Sequence, residues 1–202
     1  SNTDNVVKII LKKEYVQIHT LVEEEGSVSH GNYQYGSDTF DNKDLMVRSG
    51  DTIRLKIVPD EGYTIGQLFI GGTPQTIDRS KIDEDGNYEI EYTVSETATI
   101  WTSFAADING NGEPDETETT YSITYAAGTA GTNAQNMPQN KTDILSGTTQ
   151  TISAAVPTWT GYVFTGWTST DVTETAGNFT MPEKDVTFTA AWNCLLNTSP
   201  SP

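Results

Sequence analysis

The chain has 202 residues, with 11 basic side chains against 28 acidic ones and a formal charge of −17. That balance repels phosphate backbones and anionic bilayer surfaces, so nucleic acid and membrane are not expected as partners. No apolar run approaches the roughly 20 residues needed to cross a bilayer, the longest candidate, Val6-Val7-Lys8-Ile9-Ile10-Leu11, being interrupted by Lys8.

Ser1-Asn2 reads as a cloning scar, and no secretory leader opens the chain, so it is expected to be a piece of something larger. Residues 1–13 are either a lead-in or a first strand. From there hydrophobicity alternates with period two, and helical spacing is sustained almost nowhere, which predicts a mainly β chain. Val16, Ile18, Thr20 and Val22 share one strand face; so do Ile53, Leu55 and Ile57, with Arg54 and Lys56 opposite, and Ile90, Tyr92 and Val94, with Glu89 and Glu91 opposite. The breaks carry turn chemistry: Glu25-Gly26-Ser27, Ser49-Gly50-Asp51, Ile70-Gly71-Gly72-Thr73-Pro74 and Asp85-Gly86-Asn87. The same period places Trp101 on the face opposite Ile100, Thr102 and Phe104, which predicts an aromatic on the surface or between modules.

Next comes Asp107-Ile108-Asn109-Gly110-Asn111-Gly112-Glu113-Pro114-Asp115-Glu116-Thr117-Glu118, which fits the calcium-loop pattern D-x-[DN]-x-[DN]-G-x5-E. Calcium takes six to eight oxygens, here the side chains of Asp107, Asn109, Asn111, Asp115 and Glu118 with the carbonyl of Glu113. The flanks read as strands, so a helix-loop-helix sensor is not expected; the segment is similar to the helix-free calcium loops of thrombospondin type 3 repeats. The competing reading is an acidic, Gly/Asn/Pro-rich spacer, 107–119, that only solvates and turns the chain.

The order of signals occurs twice. Ser49-Gly50-Asp51-Thr52, a strand ending at Pro59, Gly62-Tyr63-Thr64-Ile65-Gly66, Tyr92-Thr93-Val94 and a last strand to Phe104 make the first copy. Ser146-Gly147-Thr148-Thr149, a stretch to Pro157, Gly161-Tyr162-Val163-Phe164-Thr165-Gly166-Trp167, Phe179-Thr180-Met181-Pro182-Glu183 and a strand ending at Trp192 make the second. Two small antiparallel β modules in tandem follow, 14–106 and 120–193, with a disordered tail 194–202. In the second, Val186, Phe188, Ala190 and Trp192 alternate onto one face, with Tyr162 and Phe164 as apposed aromatics.

The Gly-Tyr-x-aromatic-x-Gly-Trp stretch at 161–167 and the run from Met181-Pro182 through Asp185-Val186-Thr187 to Trp192 resemble the Listeria-Bacteroides repeat, the internalin B-repeat family. The resemblance covers 120–193. The first module is similar but divergent, lacking the Trp after Gly66 and the Met-Pro pair. The resemblance implies a β-grasp-like fold for the second module, tandem occurrence on secreted or wall-anchored bacterial proteins, and no catalytic residues to carry over.

Nothing else in the chain reads as chemistry. His19 and His30 are too few and too separated for a zinc site with the unpaired Cys194, and Ser29-His30 are mere sequence neighbours. The carboxylate groups Glu23-Glu24-Glu25 and Asp83-Glu84-Asp85 fall at turns, where solvation is the expected role. Asn140, Asn178 and Asn197 fit the glycosylation pattern by chance composition, and no motif supports a pilin-type Lys–Asn isopeptide bond. The expectation is a monomeric, non-enzymatic segment of an extracellular bacterial surface or cell-wall protein, a spacer and adhesion-type contact module with calcium as structural cofactor. Its partner would be a protein or glycan on a host or neighbouring cell. The alternative is a carbohydrate-binding accessory of a secreted glycan-degrading enzyme, for which Trp101 and Trp159 are the candidate sugar-stacking residues.

Overall fold

A computed structural model describes residues 14–23 and 28–195. Segment 1–13, residues 24–27 of one expected turn and the tail beyond 195 lie outside the described residues. The chain divides into two compact units, Ser1–Glu116 and Thr117–Pro202. The mainly β expectation holds: fifteen strands and three short turns of 3-10 helix account for the regular structure of the described residues.

The first unit runs β1 (Tyr15–Val22), β2 (Gly31–Tyr35), β3 (Asp38–Phe40), β4 (Lys43–Arg48), β5 (Thr52–Pro59), β6 (Tyr63–Ile70), β7 (Thr73–Pro74), β8 (Tyr88–Thr93) and β9 (Ala98–Ala106). One sheet has the order β4-β1-β9-β6-β7 and the other β3-β2-β5-β8. The alternation in the sequence sends Ile18, Leu45, Val47, Leu68 and Ile100 of the first sheet, and Tyr33, Ile53, Leu55, Ile57 and Ile90 of the second, into one hydrophobic cluster. Two polar groups buried with them are satisfied. The Thr20 hydroxyl donates to the Lys43 carbonyl at 2.9 Å, and the Tyr33 hydroxyl donates to Thr102 Oγ1 at 2.7 Å. Burial pushes the Tyr33 phenol above its ordinary range despite that bond.

The second unit runs β10 (Thr120–Ala126), β11 (Lys141–Leu145), β12 (Thr149–Thr151), β13 (Tyr162–Thr168), β14 (Asn178–Thr180) and β15 (Val186–Cys194). Its main sheet is ordered β11-β10-β15-β13, with β12 and β14 forming a separate pair. Ile123, Tyr125, Ile144, Phe179, Met181, Val186 and Phe188 make its core, with Trp167 packed against them. Cys194, read as the start of the tail, is the last residue of β15.

The two units share an arrangement of strands. In each unit four strands lie side by side with the first strand next to the last: β4-β1-β9-β6 and β11-β10-β15-β13. The first and last strands pair in parallel, Ile18 opposite Ala98 through Val22 opposite Thr102, and Ile123 opposite Val186 through Ala126 opposite Thr189. The middle strand pairs antiparallel with the last in matching register. Tyr63 faces Ala106 as Tyr162 faces Cys194, and Ile65 faces Phe104 as Phe164 faces Trp192. A one-residue bulge follows in both, at Gly66 and at Thr165. The turns that open β5 and β12 also coincide: Gly50 N–H donates to the Val94 carbonyl as Gly147 N–H donates to that of Met181.

Candidate functional site

The 107–116 stretch is not suspended between modules; it is folded onto the first unit. Asp107 follows directly on β9, is buried, and its N–H donates to the Gly62 carbonyl at 2.8 Å. The carbonyl of Gly112 accepts from Thr64 Oγ1 and from Arg79 Nη1, each at 3.0 Å, and Arg79 Nε lies 3.5 Å from the Glu113 carboxylate. Thr64 comes from β6 and Arg79 from a single 3-10 turn, Arg79–Lys81, capped by Asp78. A cleft lined by Asp60, Glu61, Arg79 and Asp83 borders the loop at Gly110 and Gly112.

Inside the loop the side-chain oxygens take up successive backbone N–H groups. Asp107 accepts from Asn111 at 3.0 Å and Gly112 at 2.9 Å, Asn109 from Asn111 at 3.2 Å, Asn111 from Glu113 at 2.8 Å, and Asp115 from Ile108 at 3.0 Å. Gly110 and Gly112 take φ values of 71° and 84°, a region open to glycine and costly for other residues, and so let the chain wind in this way. The donor set is all oxygen, which is the chemistry calcium requires. Among the described residues no three His, Cys, Asp or Glu side chains converge as a metal-holding group. Of the six expected ligands, five lie in the first unit, and Glu118 falls past the division between units.

The two aromatic candidates both have ring partners within the chain. Trp101 is half-buried, meets Phe69 edge-on at 5.4 Å with 64° between rings, and donates its indole N–H to the Glu23 carbonyl at 2.8 Å. Trp159 already has a stacking partner, Tyr162, at 3.5 Å and 6°, and Trp192 approaches it edge-on at 5.7 Å. The indole of Trp192 donates to the Ala127 carbonyl at 2.9 Å. Thus in each unit a tryptophan of the last strand is tied to the carbonyl immediately following the first strand.

The histidines and acidic turns have local partners. His19 Nδ1 lies 2.6 Å from Asp44 Oδ1, and His30 Nδ1 lies 3.1 Å from Glu23 Oε1 and stacks on Tyr63. Asp83 closes its turn by accepting from the N–H groups of Asp85 and Asn87. Burial would raise its pKa, but the Asn87 donors and Lys56 outweigh this and hold it below the ordinary value.

Among families, residues 121–194 match the model of the divergent InlB B-repeat domain. No curated protein and no solved structure matches the chain. The resemblance read at 120–193 therefore holds for the second unit. Sequence reasoning missed Thr64 and Arg79 as the residues that hold the acidic loop; Thr64 figures there only as part of the repeated 62–66 stretch, Arg79 belongs to no pattern, and their role depends on a contact between distant turns.

Proposed function

We propose that this chain is a non-catalytic segment of a bacterial cell-surface or secreted protein, in which two related β units serve as spacer and protein-contact modules. The observation that carries the reading is the repeated sheet: strand order, parallel pair, bulge and opening turn recur in both units, and the second unit matches a bacterial surface-type repeat. On that basis the first unit is a divergent copy of the same module. The finer part of the reading is that 107–118 holds calcium through Asp107, Asn109, Asn111, Asp115, Glu118 and the Glu113 carbonyl. The ion would neutralise crowded carboxylates and stiffen the segment where the first unit ends.

Calcium titration by calorimetry, with small-angle scattering in calcium and in chelator, tests it. Heat that disappears in Asp107→Ala and Glu118→Ala, with a stiffer particle in calcium, supports the reading. No heat at millimolar calcium reduces the segment to an acidic turn. A glycan-binding accessory role ranks second, because stacking on a sugar favours flat, open aromatic faces. Phe69 and Trp101 meet at a steep angle, and Tyr162 covers one face of Trp159. Binding of neutral glycans on an array, lost in Trp101→Ala, would reverse that ranking.

A further inference from the structure

In each unit the fold begins with the first strand and ends with the last, and in the first unit the chain then runs through the docked 107–116 stretch before leaving. In both units these two strands are neighbours and run parallel, β1 with β9 and β10 with β15. The start of the first strand and the end of the last therefore lie at opposite ends of one ladder. Tension along the chain pulls the first strand backward and the last strand forward, so the inter-strand bonds are loaded together, in shear. An antiparallel pair pulled by its two adjacent ends opens one bond at a time instead.

Three further features suit this loading. Neither strand of the pair is an edge strand: β4 and β6 flank one pair, β11 and β13 the other. The residues facing inward from the ladder, Ile18, Thr20 and Ile100 in the first unit and Ile123, Val186 and Phe188 in the second, are all buried, so sliding the strands would drag each core past itself. The indoles of Trp101 and Trp192 add a tie across the pair at the end of the first strand. They do so from different positions in β9 and β15, so the tie recurs without the residue being in register.

We propose that each unit is a load-bearing module whose parallel terminal pair is the element that resists tension along the chain. The biological meaning rests on the spacer reading; the geometry does not. The test is single-molecule force spectroscopy on the full chain in two geometries, both in a Cys194→Ser background so that no native thiol competes. In the first, handles sit at the chain termini. In the second, they sit at Val163→Cys and the C-terminus, where β13 faces the end of β15 in antiparallel register and is peeled from it. Hydrogen exchange on both proteins verifies that the units are folded before pulling.

Terminal pulling is expected to give one unfolding event per unit, each at about threefold or more the peeling force, since several ladder bonds share the load instead of one. Terminal events at or below the peeling force would overturn the proposal. That outcome would leave the calcium and spacer readings to their own titration, while a negative titration would leave the force result standing.

Discussion

Phe188→Ala tests whether the two units are independent folding bodies, as a tandem spacer requires. The ring is 1% exposed and lies on β15 opposite Tyr125 of β10, with ring centres 5.9 Å from Tyr125 and 5.2 Å from Phe179. Truncating a buried Phe costs about 3–5 kcal/mol, the transfer term plus the cavity it leaves. A unit of roughly 80 residues has about 4–12 kcal/mol of stability in total, so the loss takes a large share of it. At this size each kcal/mol moves the melt by about 4–8 °C, giving a drop of roughly 12–40 °C. The core of the first unit shares no residue with this cluster, so its stability is expected to stay where it was. Hydrogen exchange with mass spectrometry separates the two, by following peptides from β1 to β9 and from β10 to β15 across a urea series. A loss under about 1 kcal/mol in the second unit, or an equal loss in the first, would refute the reasoning.

Gly128→Ala should destabilise the second unit by about 2 kcal/mol or more, because the position has φ 60° and an added Cβ would stand 2.5 Å from the Ala190 carbonyl oxygen; an unchanged thermal melt would contradict this. Asp171 gives the second unit a pH dependence. The Thr187 N–H at 2.9 Å and then Lys184 at 3.0 Å hold its carboxyl below the ordinary 3.8. The charged form is favoured by folding, so the stabilisation is complete above 3.8 and is lost as pH falls through the lower, folded-state value. Melts of wild type and Asp171→Asn between about pH 5 and pH 2 should converge at the acid end. A constant gap across that range would sink the assignment.

Much of the fold was legible because period-two burial is written locally. Ile18, Thr20 and Val22, or Ile53, Leu55 and Ile57, declare their face without reference to anything distant. Pairing is another matter. That β1 lies parallel to β9, nearly 80 positions on, depends on long-range contacts that no local pattern encodes, and the same holds for the Arg79 bond to Gly112. Matching letters also misled. Gly66 and Gly166 look like counterparts, but measured along the last strand Gly66 corresponds to the bulged Thr165, since Gln67 and Gly166 each follow the bulge. The acidic segment was read for its ligand pattern and its solvation, and its docking on Thr64 went unseen because a backbone carbonyl makes the contact.

That register shift puts Leu68 where the second unit has Trp167. Gln67 and Gly166 are the residues that follow the bulge, and the next position is Leu68, 3% exposed, in one copy and Trp167 in the other. The indole N–H of Trp167 is enclosed among Tyr125 and Phe164 and has no hydrogen-bond partner among the described residues. A buried donor left without an acceptor is a cost that leucine does not carry. The residue that most readily identifies the second unit by eye thus stands at a position that the first unit, with the same local strand arrangement, fills with a plain aliphatic. This strand arrangement therefore does not depend on the tryptophan, and units that share it would be found more surely by strand register than by that residue.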